Sequence, residues 1–117
     1  MKYLYVLLSF SLINLTISSQ NNLELIGVLD LDVPTGGSTG KAIHVKANQN
    51  ISDLSIYGIG IANNGGGTDG QEYTFPSISL NTGEDVIVCR DTVAINSYFI
   101  GCSPFNLVIL DDQAVIT

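Results

Sequence analysis

Few side chains in this 117-residue chain could do chemistry, and their spacing limits what that chemistry could be. His44 is the one histidine. A histidine works as a general base only with a nucleophile in reach and a group that orients it. No motif sets a serine or cysteine beside His44, and the alternation in KAIHVKA puts it on the polar side of a strand with Lys46. The expectation is a surface strand residue, and no catalytic residue is assigned. Asp30, Asp32, Asp69, Glu72, Asp111 and Asp112 could offer oxygens to calcium, which needs several converging on one point. None has EF-hand spacing or a glycine–aspartate repeat, so no metal or cofactor is expected. If calcium bound anywhere, residues 63–72 would be the place, and the loop residues Asn63, Asn64, Asp69 and Glu72 are also the expected binding loop. The stretch NNGGGTDG lacks the Gly-Lys-Ser/Thr ending of a phosphate cradle, and no helix pattern follows it.

Cys89 and Cys102 are the two cysteines, too few for a structural zinc site. In an exported chain they can persist as a disulfide, and a Cys89–Cys102 loop of this size would contribute ~3 kcal/mol in the chain-entropy model. The alternative is two separate thiols, at least one of them buried as a small hydrophobe. Export itself is read from residues 1–19. Lys2 precedes an apolar run, and Thr16, Ser18 and Ser19 follow it, the layout of a secretory signal peptide with cleavage after Ser18 or Ser19. The apolar run falls short of the about 20 residues that a membrane span needs. A secreted or cell-surface location is expected, with no membrane span after cleavage.

What remains, 20–117, is enough chain for one small domain. The whole chain is acidic, with 11 Asp and Glu against 4 Lys and Arg and a formal charge of −7, and loss of Lys2 with residues 1–19 makes it −8. Phosphate binding rests on lysine and arginine, so nucleic acid is not expected as a direct partner. The acidity reads as solubility. The sequon Asn50-Ile51-Ser52 would accept a glycan in a eukaryotic secretory pathway.

The elements that position these residues are strands. Residues 23–33 read as one, with Asp30 and Asp32 on one face and Leu29, Leu31 and Val33 on the other. Residues 41–47 form the next, with Ile43 and Val45 opposite His44 and Lys46. Residues 54–62 resume an apolar strand in which Ile59 and Ile61 share a face. The short strand 71–75 is ended by Pro76, and Ile78 and Leu80 form an apolar pair before the turn at Thr82-Gly83. Residues 84–90 read as a central strand. Residues 91–99 carry the one fair helical signal, capped by Asp91 or Thr92 and lined by Val93, Asn96, Tyr98 and Phe99. Residues 106–110 read as a buried strand, and 114–117 begin another extended segment whose bare edge suggests a record cut short. About seven short strands with polar turns predict an all-β sandwich or barrel.

Several of these stretches together resemble a known family. ISDLSIYGIGIANNGGGTDGQEYTF, the following Pro76, GKAIHVKA and GEDVIVCRD are similar to the lamin-tail domain, most closely to secreted bacterial members that carry it. The likeness covers 40–99, and more weakly from 25. It implies an immunoglobulin-like antiparallel β-sandwich, incomplete at its C-terminus here. It implies Tyr73, Phe75, Pro76 and Gly83 as fold residues and no catalytic residues. Tyr57 stands near the place where many members carry a tryptophan, and the acidity departs from the basic face of a DNA-binding member. The resemblance implies a non-catalytic module for adhesion, tethering or recognition of a protein or cell-surface partner. The alternative is an accessory domain of a longer secreted hydrolase, a nuclease or phosphatase.

Overall fold

Strand alternation at 41–47 is the pattern around which the domain assembles. In the computed structural model, which describes residues 21–32, 37–62, 66–67, 70–100, 104–113 and 115–116, the elements run β1 (Leu23–Asp30), β2 (Lys41–Ala47), a 3-10 turn (Leu54–Ile56), β3 (Gly58–Ile59), β4 (Tyr73–Thr74), β5 (Asp85–Cys89), α1 (Thr92–Tyr98) and β6 (Leu107–Leu110). The expected leader, 1–19, lies outside the described residues. The large sheet has the order β1-β2-β5-β6, and β3 and β4 form a second, two-stranded sheet. The molecule is mostly β, a small sandwich-like fold with one short helix.

The large sheet buries both faces. Ile43, Val45, Ala47, Val86 and Val88 point toward the second sheet, where Leu54, Tyr73, Phe75 and Leu80 close the main core. Ala42, Ile87 and Cys89 point the other way, under Ile95 of α1, with Phe99 and Phe105 at the margin. Central β5 is therefore apolar on both sides, which is why VIVC has no alternation. Tyr73 and Phe75 are buried, with their rings edge to face at 5.4 Å. Gly83 holds φ at 88°, the left-handed region its turn requires, while Pro76 is exposed.

Three expectations change. The sheet is not antiparallel throughout: β5 and β6 pair in parallel, Val86 opposite Leu107 through Cys89 opposite Leu110. A parallel pair needs a long crossover, and α1 supplies it. Asp91 Oδ1 accepts the N–H groups of Val93 and Ala94 and starts that helix. The inward residue is Ile95, whereas Val93 and Tyr98 are exposed. Second, 54–62 is not one strand. Asp53 Oδ1 accepts both the N–H and the hydroxyl of Ser55, which turns the chain into a 3-10 turn and leaves only Gly58–Ile59 to pair with β4.

Third, the strand expected over 23–33 ends at Asp30, and its register is irregular. Leu25 lies opposite Val45, yet Gly27 lies opposite His44 and Val28 opposite Ile43, with the register shifting between Leu25 and Gly27. Ile26 is the extra residue of a bulge. It places Leu25 and Val28 on the same face and turns Leu29 toward the α1 side, where it joins Leu31 against the second core.

Candidate functional site

Two places combine polar chemistry or exposed apolar surface with a defined shape. The first is on the α1 side of the large sheet. β2 alternation aims His44 and Lys46 at this face, and the antiparallel register sets Lys46 opposite Asp85 and His44 two pairs further on, opposite Ile87. Asp85 thereby reaches both: Oδ1 is 2.8 Å from His44 Nε2, and Oδ2 accepts from Lys46 Nζ at 3.0 Å. A carboxylate only accepts, so Nε2 is the nitrogen that carries the proton. Partial burial works against ionisation of Asp85. The hydrogen bonds and charges of Lys46 and His44 outweigh it and hold the carboxyl below its ordinary range.

The rest of this place is packing. The Phe105 ring meets the His44 ring edge to face at 5.1 Å, and Phe99 meets Phe105 in the same manner at 5.1 Å. Asn106 grips the backbone of Asp85 twice, its N–H donating to the carbonyl and its Oδ1 accepting the N–H. His44 is thus held between the Asp85 carboxylate and the Phe105 ring. The cluster is a cross-strand clasp that fastens the start of β6 to β5.

The second place is on the opposite face. Leu25 and Val28 of β1, Ile43 and Val45 of β2, and Ile59 and Ile61 of the β3 arm line an open groove of about 460 Å³. Leu25 is 63% and Val28 72% exposed, although both stand beside the main core. A smaller hollow, about 260 Å³, shares Val28, Ile43 and Ile61 and is floored by Ile116. Among the described residues β1 has no neighbour on its outer side. The groove runs along this strand edge, open among the described residues.

The nearby ends are tied. Arg90 Nη1 lies 3.3 Å from the Asp111 carbonyl and 3.4 Å from its Oδ2, which also accepts the N–H of Ile116 at 2.7 Å. Gln113 binds Thr74 as a strand would, its Oε1 accepting the Thr74 N–H and its Nε2 donating to the Thr74 carbonyl. The outer edge of β4 is closed by that side chain.

Of the expected binding loop, Asn63, Asn64 and Asp69 lie outside the described residues. Glu72 is engaged at the base of the loop: its Oε2 accepts the N–H of Ile61 at 2.7 Å. Among the described residues no three His, Cys, Asp or Glu side chains converge as metal ligands. Cys89 is a buried free thiol that donates to the Ile109 carbonyl, 3.6 Å away. Burial pushes its thiol up to about 11, so it stays protonated near neutrality. Cys102, the expected disulfide partner of Cys89, lies outside the described residues. The sequon residue Asn50 is exposed, with its side-chain oxygen accepting from the N–H and hydroxyl of Thr82. Among the described residues no helix is long and apolar enough to cross a membrane.

No family model, curated protein or solved structure matches this chain. The site must be read from its own geometry. Sequence reasoning left His44 without a partner because Asp85 is 41 residues away and only the β2–β5 register joins them. It overlooked Leu25 and Val28 because simple alternation sets them on opposite faces, and nothing in LELIGVLD announces the bulge.

Proposed function

We propose that this chain is a secreted, non-catalytic β-sandwich module of lamin-tail type, which tethers or recognises another protein or a cell-surface component. The observation that carries this reading is the apolar groove beside β1. Leu25 and Val28 are held out of the core on a concave surface, whereas a domain with no partner gains by burying them. The polar cluster supports the reading from the other side, since His44 and Asp85 are committed to each other and to fastening β6. The motif likeness to the lamin-tail domain supports the immunoglobulin-like assignment and the interaction role. Export rests on the leader read at 1–19.

Retention on an immobilised module tests the role. The processed chain and its Leu25→Ser/Val28→Ser variant are each exposed to the extracellular fraction and surface extract of the cells that make it. The expected result is one saturable component retained by the parent and lost by the variant, with both proteins equally folded by circular dichroism. Equal retention by both, or by neither, contradicts the proposal.

A further inference from the structure

We infer that the outer edge of β1 takes up an extended, cationic and apolar segment of another protein as an added strand, with alternate side chains of that segment seated in the groove; this rests on the interaction role above. Strand addition needs an unpaired edge and pockets on one side of it for every second side chain. β1 provides both: the edge is open among the described residues, and the bulge at Ile26 brings Leu25 and Val28 to the same side, above Val45 and Ile43. The two sheets differ here. Gln113 occupies the edge of β4, so an incoming strand has no access at Thr74.

Charge selects the occupant. Asp30 is exposed on the groove side of β1, Asp32 is exposed just beyond it, and Glu72 sits at the opposite lip below Ile61, whereas Glu24 lies on the other face, opposite Lys46, and accepts from Asn48. Lys41 stands opposite Asp30 in the register, and Lys46 is committed to Asp85. The rim is therefore acidic, on a chain of formal charge −7. A second copy of this chain is the other way to cover the edge. Self-pairing would bring the Asp30 and Asp32 carboxylates of two chains to one seam, where like charges repel. A strand with lysine or arginine between its apolar residues meets the opposite field.

Three short synthetic peptides serve as probes: alternating valine and lysine, alternating valine and glutamate, and a valine–lysine peptide interrupted by prolines. The last keeps charge and apolar content but cannot form a ladder. Binding is measured by calorimetry, and the amide signals of the isotope-labelled chain locate it. The expected result is at least about tenfold tighter binding of the uninterrupted valine–lysine peptide than of either other. Signals of residues 23–30 should shift and gain exchange protection, and Leu25→Ser/Val28→Ser should weaken the complex. Equal binding of the three peptides, shifts placed elsewhere, or a dimer of the unliganded chain in sedimentation would each overturn the inference. If no peptide binds but the retention experiment succeeds, strand addition fails while the interaction role stands. If both fail, the role falls as well.

Discussion

Val28 and Val93 are almost equally exposed, 72% and 73%, on opposite sides of the large sheet, and only one of them lines a groove. Val93 rides on the outer surface of α1 while Ile95 of the same helix fills the core beneath. Val28 lines a concave apolar groove beside β1, which has no outer neighbour among the described residues. The difference shows that exposure of a single apolar side chain carries little meaning, since much of any protein surface is apolar. Shape and continuity carry it. The α1 face is closed by a local device, a crossover helix packed on its own sheet. The groove face depends on a second sheet whose strands are two residues long.

Two substitutions sharpen the contrast. Ile87, fully buried beneath Ile95, should lose about 2–5 kcal/mol on change to alanine, since a cavity is left in a packed core. Val28→Ala should stay within about 0.5 kcal/mol, because the side chain already faces solvent in the isolated chain. Urea unfolding of both variants compares them. A large loss at Val28 would mean that the groove is closed in solution and that the contrast is false.

A smaller effect is expected at Asp85. Its carboxyl titrates lower in the folded chain than its ordinary value of 3.8. The contribution of the clasp is therefore complete above the unfolded pKa and lost as the pH falls through the folded one. Both partners are partly exposed, so the contribution is under about 1 kcal/mol. Melting temperatures between pH 2 and 6 should fall less steeply on acidification for Asp85→Asn than for the parent. Parallel curves would remove the clasp from the account of how β6 is held.

The same two regions differ in how far they were legible in the sequence. β2, the centre of β5 and the Asp91 cap were readable because alternation, a continuous apolar run and an Asp-Thr start are local signals. The parallel β6 was also within reach. A helical stretch between two apolar strands implies a crossover, and a crossover implies parallel pairing. The clasp was not legible, because Lys46 and His44 meet Asp85 through register rather than neighbourhood. Nor was the groove, because one bulged residue at Ile26 exchanges the faces of everything that follows it in β1. The 3-10 turn replaced an expected strand for a local reason: Asp53 takes the N–H and hydroxyl of Ser55, and apolar pattern alone does not weigh that competition.

Position-specific photo-cross-linking tests the central claim most directly. A benzophenone side chain replaces Val28 in one version of the full chain and Val93 in another, and each is irradiated in the presence of the component retained by the immobilised module. A covalent adduct from position 28 and none from position 93 is the expected result. Equal adducts from both, or an adduct from position 93 alone, would contradict the assignment of the groove beside β1 as the contact surface.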